Sequence, residues 1–348
     1  MKICVVGGTG NISSSIVKLL LQQKHEVVCF NRGLSDKPFE GARVIIGDRK
    51  DQNKFEKIMQ SESFDVAIDM LCFNANHALS SLRAFKGVSH FIMCSTVCTY
   101  GTNFNTFPTN ETSPINPSSG YARNKAEADE VFKEAYIKDK FPVTIIKPST
   151  TYGPKLGLLR QVGSQDFSWI DRIRKGKPII VCGDGKAMHQ FMHVDDAALA
   201  FAGIINRKKC IGETYNLVND GFITWSEYHK IAMKVIGREV NIVGVPYENL
   251  EKLRVPGFDL CREIFSHHSY CTAKKLLNDV PEFKPKISIE EGMNKVIEDL
   301  DKKKRIVDSD NENWEDIVIK KQSSLKRNFY FKLMKKISKI KKKIKGKK

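Results

Sequence analysis

Among the nine cysteines of this 348-residue chain no two form a CxxC pair, and no apolar run approaches the roughly 20 residues that a membrane span needs. The cysteine count is odd and the cysteines are scattered, which excludes a disulfide framework or a zinc site as the organising principle and predicts reduced thiols in a cytosolic compartment. The opening "MKICVVGG" runs straight into a strand pattern, so no signal peptide is expected. Acidic residues are missing between Lys320 and Lys348, where fourteen lysines and arginines stand. Residues 1–319 therefore carry only +3 of the net charge of +17. A nearly neutral body gives little reason to expect nucleic-acid binding. Apolar content of 41% and charged content of 28% are ordinary for a globular chain.

What is present alternates. "KICVVGG", "EVVCFNR", "ARVIIGD", "FDVAIDM", "SHFIMCS" and "FPVTIIKP" are β-branched runs, separated by the helical patterns "SSSIVKLLLQQ", "NKFEKIMQ", "NHALSSLRAF" and "NKAEADEVFKEAYIKD". Strands alternating with helices predict right-handed crossovers and an α/β, Rossmann-type doubly wound parallel sheet with a smaller C-terminal substrate-binding region. The expected divisions are 1–154 for the Rossmann-type domain, 155–310 for the second region with returns to the sheet, and 320–348 for a basic amphipathic tail. "ETYNLVN" reads as one more strand, and Thr224 with Glu227 forms a capping box opening the helix "TWSEYHKIAMKVIG".

Two stretches carry chemistry. In "VVGGTGNISSSIVKLL", Gly7 and Gly10 stand between the first strand and the first helix, where a tight turn brings backbone close to a pyrophosphate favoured by the helix N-terminus. Ser13 stands where a third glycine is usual. The second strand ends "FNRG", with Asn31 and Arg32 and no carboxylate, so NADP is favoured over NAD as the cofactor. In "SSGYARNKAEADEVF", Tyr121 and Lys125 are four residues apart and share one helix face, which sets a phenol beside an ammonium.

The glycine turn, "STVCTYG", "YARNK" and "KPSTTYGP", in that order, resemble the extended short-chain dehydrogenase/reductase family, the NAD-dependent epimerases and dehydratases of nucleotide sugars, over roughly residues 1–300. The resemblance implies a triad in which Tyr121 is the general base, Lys125 lowers its pKa and binds the nicotinamide ribose, and Thr96 orients the substrate oxygen. It implies a cofactor-contacting set of Gly7, Thr9, Gly10, Asn11 and Ile12 in the turn, then Asn31, Arg32, Asp48, Arg49 and Leu71, and finally Lys125, Pro148 and Ser149. Tyr152 matches the segment lying along the nicotinamide, while His193 and Asp195 of "HVDD" are expected to be structural. No metal is called for. The implied activity is nucleotide-sugar epimerisation through a keto intermediate, and a homodimer is a further family expectation.

The departures matter as much. Val97 and Cys98 occupy the positions of the acid pair that serves 4,6-dehydratases, which disfavours that reaction. His189, with Gln190 beside it, stands where the family often has a diphosphate-gripping arginine, and "SHHSYC" replaces a second one; Lys155, Arg160, Arg254 and Arg262 are the cations available instead. "FNRG", "GDRKD" and "FDVAIDM" are similar to the branch holding the chloroplast stem-loop-binding proteins, which leaves an RNA-binding protein without chemistry as one alternative. An NADPH-dependent keto-sugar reductase is the other. In the tail, Leu325, Phe329, Leu333, Ile337, Ile340 and Ile344 form one apolar stripe among lysines. That stripe predicts an amphipathic helix at an anionic membrane surface, holding a cytoplasmic enzyme at the inner face of the membrane.

Overall fold

The computed structural model describes residues 1–34, 39–103, 106–324 and 337. The first half holds strands β1 (Lys2–Val6), β2 (Glu26–Asn31), β3 (Arg43–Ile46), β4 (Val66–Asp69), β5 (His90–Cys94) and β6 (Val143–Pro148). Between them lie helices α1 (Asn11–Gln22), α2 (Gln52–Gln60), α3 (Ala75–Ala84) and α4 (Gly120–Asp139). The second half adds β7 (Thr150–Tyr152), α5 (Ser168–Lys175), β8 (Ile179–Cys182), β9 (Met188–His189), β10 (Phe191–His193), α6 (Val194–Ile204) and β11 (Thr214–Leu217). It continues with β12 (Ile223–Thr224), α7 (Trp225–Ile236), β13 (Ile242–Val245), the short helices α8 (Tyr247–Lys252), α9 (Phe258–Leu260) and α10 (Lys274–Asp279), and α11 (Ile289–Lys302).

Seven strands form one sheet in the order β11-β6-β5-β4-β1-β2-β3, every pairing parallel. Alternation within the strands explains why helices cover both faces. Ile3 and Val5 of β1 face a core shared with α1 and α6, whereas Cys4 and Val6 face a core shared with α2, α3 and α4. The strand order reverses between β4 and β1, so the crevice at their carboxyl ends is where such a sheet takes a ligand. This is the Rossmann-type architecture expected from the alternation of strands and helices.

Beyond β6 the chain does two things. The strand β11 and the helix α6 return to the sheet, α6 packing against α1. The rest builds a separate core around Trp169, Trp225 and Tyr228, where α5, α7 and α11 meet. Three small ladders, β7 with β10, β8 with β13 and β9 with β12, edge this region. Their strands are two to four residues long, too short for a period-2 pattern to show in sequence. The capping box at α7 is present, with Thr224 Oγ1 accepting from Glu227 N. Residues 314–324 are helical and fold back on this region through Glu315, which accepts two hydrogen bonds from Arg160 at 2.9 and 2.8 Å. Apart from Ile337, the apolar stripe of the tail lies outside the described residues, and no helix among those described is long and apolar enough to cross a membrane.

Candidate active site

The turn after β1 is held by backbone and by one serine. Gly7 adopts φ +84° and donates its N–H to Phe30 O at 2.9 Å. Ser13, buried at the third-glycine position, donates to Gly7 O and accepts from Gly10 N at 2.8 Å. Serine is therefore a built part of this turn as well as a tolerated small residue. A Cβ on Gly7 would come within 2.7 Å of Leu71 Cγ, so the backbone here approaches its surroundings as only glycine allows. Asn11 accepts from Leu156 N at 3.2 Å, tying the cradle to the second half of the chain, while its buried amide nitrogen has no partner among the described residues.

A cavity of about 460 Å³ opens from this turn along the ends of β1 and β2 and is lined by Gly7, Thr9 and Gly10 at one end and Asn31, Arg32 and Asp48 at the other. Its size, glycine turn and unpartnered amide fit a nicotinamide dinucleotide. Leu71 and Phe73 close the side nearest α3. Arg49 lines the cavity too, but its guanidinium is buried over the Phe55 ring at 4.1 Å and donates to His77 O and to the hydroxyls of Ser80 and Ser81. Asp69, at the end of β4, accepts from Ser81 at 2.7 Å and lies 3.7 Å from Arg49. The "IDM" ending of β4 thus supports a wall of the cavity.

The Tyr121–Lys125 pair sits at the start of α4. Ser119 caps that helix, its Oγ accepting from Ala122 N at 3.2 Å, so the helix begins at Gly120, four residues earlier than its periodicity suggests. Tyr121 is electrostatically coupled to Thr96, which caps the turn Val97–Tyr100 by accepting from Cys98 N. Lys125 lies one turn on, 2% exposed, and donates to Cys72 O at 2.7 Å and Cys94 O at 2.6 Å. Its ammonium lies 4.8 Å from the centre of the Phe73 ring, at the inner end of the cofactor cavity.

Within the chain itself, burial of its hydroxyl end pushes the Tyr121 phenol above the usual phenol range and the thiols of Cys94 and Cys98 add to the shift, although the residue as a whole is 47% exposed. Lys125 is directed at two main-chain carbonyls, those of Cys72 and Cys94.

Thr96 and Cys98 open into a second cavity of about 210 Å³, floored by Ser149 and Thr150 and walled by His189 and Glu263. Pro148 ends β6 just below it. None of the described residues lining this cavity is a lysine or arginine. Burial lowers His189 to about 4, so it is neutral in neutral solution. Gln190 is tied to Cys271, donating to its O and accepting from its N. Arg160, named above as a cation that could serve a diphosphate, is fully buried in its pair with Glu315 and does not reach the cavity. Arg262 is exposed and pairs with Asp259, and neither it, Lys155 nor Arg254 lines the cavity. A neighbouring hollow of about 400 Å³ beyond His189 and Gln190 carries one charge of each sign, Asp220 and Lys286. Tyr152 is buried edge-on to His193 at 5.5 Å, and Asp195 accepts from Ser15 Oγ at 2.7 Å, so this cluster joins elements. Glu263 had no sequence signal, since "LCREIFSHHSY" follows neither a strand nor a helix period.

Glycine cradle and sheet topology together define an NAD-binding Rossmann-type fold of the short-chain dehydrogenase type. The chain belongs to the NAD-dependent epimerase/dehydratase family, whose model matches residues 3–217. Among curated relatives it is similar to 2'-dehydrokanamycin reductase of Streptomyces kanamyceticus, 27% identical over 249 residues, which are 71% of this chain and 70% of that protein. It is also similar to the chloroplast stem-loop binding protein of 41 kDa b of Arabidopsis thaliana, 26% identical over 250 residues, 68% of this chain but only 63% of that protein. The UDP-glucose 4-epimerase of Thermotoga maritima, solved with UDP-glucose, superposes with a TM-score of 0.73 over 87% of this chain and 99% of its own, at 22% identity. At that identity the likeness concerns the fold.

Proposed function

We propose that this chain is an NADP(H)-dependent sugar oxidoreductase that works as a keto-sugar reductase, with Tyr121 as the proton donor. The observation that carries the reading is the cavity beside Thr96, whose described lining holds no lysine or arginine, with a neutral His189 where a diphosphate arginine would stand. Epimerisation requires the keto intermediate to turn over without leaving, so a part of the substrate other than the reacting ring must hold it in place. A nucleotide diphosphate is such an anchor, and the described residues of this cavity offer it no guanidinium or ammonium, while Lys286 of the adjoining hollow stands with Asp220. Reduction asks less: the ketone is bound, reduced and released. The first curated relative above is itself named a reductase.

The chain's own groups suit that direction. The Tyr121 phenol, raised above its ordinary range, is protonated at neutral pH and can give its proton to a carbonyl oxygen. Thr96, lining the substrate cavity, would align that oxygen. Lys125 holds the ends of β4 and β5 together at the point where the nicotinamide ribose would lie. A bound nicotinamide supplies the hydride and, once oxidised, a positive charge near the phenol. Val97 is apolar and the thiol of Cys98 is raised by burial, so neither offers the acid that elimination of water needs. The RNA-binding alternative leaves the Thr96–Tyr121 contact without a use.

The test is to denature the purified full-length protein and identify released nucleotide by mass spectrometry, then to titrate NADPH. Cofactor-free protein that binds NADPH supports the reductase. Stoichiometric, tightly held oxidised cofactor restores the epimerase, and no nucleotide binding points to the non-catalytic relative. Tyr121→Phe should lower NADPH-dependent reduction of a keto-sugar panel by about 10²–10⁴-fold while NADPH affinity is unchanged. Undiminished turnover in that variant would remove Tyr121 from the chemistry.

A further inference from the structure

We infer that the substrate carries an amine held by the carboxylate of Glu263, in place of the nucleotide diphosphate that the family resemblance implies. This describes the reductase's own cavity and so stands on the reading above. Glu263 lies on the π-helical turn Cys261–Phe265, a widened turn of a kind that recurs at functional sites. Among the described residues lining the cavity it supplies the one carboxylate, and no hydrogen bond or ion pair reaches that carboxylate. Its neighbour Arg262 is engaged elsewhere, with Asp259 at 2.5 Å. Glu263 lines the same small cavity as Thr96 and Cys98, which sets it on the reacting space.

An unpaired carboxylate in a cavity without lysine or arginine gives that space a negative potential. A phosphate there meets repulsion, and an ammonium gains a charge-assisted hydrogen bond. The rest of the lining suits a polyol: Ser118, Ser149, Thr150 and Thr151 present hydroxyls, and the Ser149 hydroxyl has no partner within the described chain. A volume of about 210 Å³ is below the roughly 300–1,000 Å³ of sites for larger ligands, so one sugar ring is the scale it accommodates. An aminated sugar therefore satisfies the size, hydroxyl lining and charge of the site together.

The probe is a set of methyl glucosides bearing an amine at carbon 2, 3, 4 or 6. Each is titrated calorimetrically into the NADPH-loaded full-length protein beside its N-acetyl derivative, methyl glucoside and UDP-glucose. At least one amine should bind about tenfold to a hundredfold tighter than its N-acetyl form. Glu263→Gln should abolish that preference, and Glu263→Asp should keep part of it. No binding by any amine, equal binding of amine and N-acetyl forms, a preference that survives Glu263→Gln, or tightest binding of UDP-glucose each overturns the assignment. Failure of the two readings can be told apart. Amine preference without hydride transfer from NADPH to the corresponding keto sugars breaks the reductase reading alone, and keto-sugar reduction without amine preference breaks only this one.

Discussion

The two ends of the active cleft are built on opposite electrostatic plans. At the cofactor end, backbone and cations dominate: a glycine turn at a helix N-terminus, with Arg32 and Lys50 on the rim of the cavity. At the substrate end, the described lining mixes apolar side chains with hydroxyls, His189 is neutral and the one carboxylate is unpaired. The first end is formed by contiguous turns at strand ends, so its shape follows from the sheet. The second is assembled from Thr96, Ser149 and Glu263, which come from separate stretches of the chain, and its shape depends on a second core holding them together. Binding a phosphate-rich cofactor is thus a property of the fold here, and substrate choice is a property of how its second half is locked.

The lock is where that contrast can be broken hardest. Arg160, fully buried, and the nearby Arg172 share Glu315, which also accepts from Ile180 N at 2.7 Å and so fixes the start of β8. Replacing Glu315 with alanine strands buried guanidinium charge, which costs about 3–5 kcal/mol when one partner of such a pair is removed. All three tryptophans, Trp169, Trp225 and Trp314, lie in the second half of the chain, so their fluorescence reports it selectively. Glu315→Ala should shift the tryptophan-monitored denaturant midpoint sharply downward while NADPH titration still detects a formed cradle. Parallel loss of both signals would mean that the halves do not behave separately.

Acid should separate the halves next. Burial lowers His90 to about 4, His189 to about 4 and His229 to about 3. Above the unfolded value near 6.5 these histidines are neutral in both states and their contribution to stability is complete. As pH falls below 6.5 the unfolded chain takes up protons that the fold excludes, so stability drops by about 1.4 kcal/mol per pH unit for each histidine until the folded value is reached. His90 belongs to β5 of the cofactor half, hydrogen-bonded to Thr144 at 2.8 Å, whereas His189 and His229 both sit in the core around Trp225. His25 and His77 in the first half and His193 in the second are lowered as well, so the halves differ through the two deeply lowered histidines of the second against one in the first. Hydrogen exchange at pH 6 and pH 5 should show the second half losing protection more steeply. Equal slopes would show that the two halves unfold as one.

How much of this could be read beforehand follows the same division. The seven strands of the main sheet, the glycine turn and the placing of Tyr121 and Lys125 on one helix were legible because each depends on residues a few positions apart. The role of Arg160 was not, since its partner Glu315 lies 155 residues away and nothing local distinguishes a buried guanidinium from a ligand-binding one. Glu263 was silent for a related reason: a π-helical turn of five residues imposes no repeating pattern. Where Lys125 donates was not legible, because i,i+4 spacing fixes which side chains share a face but leaves open where an ammonium donates its hydrogen bonds.

The smallest effect tests the cofactor end itself. Arg32 is exposed at the end of β2, lines the cavity with Lys50, and follows Asn31 where a carboxylate would hold the 2'-hydroxyl of NAD. Asp48 stands opposite, but its Oδ1 accepts from Lys50 N at 2.9 Å, which holds that carboxylate against its own turn. If Arg32 accommodates a 2'-phosphate, Arg32→Ala should raise the Kd for NADPH about tenfold and leave that for NADH unchanged, about 1.4 kcal/mol of discrimination. The difference should shrink as salt rises, because an exposed charge contact is screened. An unchanged NADPH-to-NADH ratio would take NADP specificity away from Arg32. The charge contrast between the two ends of the cleft would then rest on the glycine turn, the helix N-terminus and Lys50 alone.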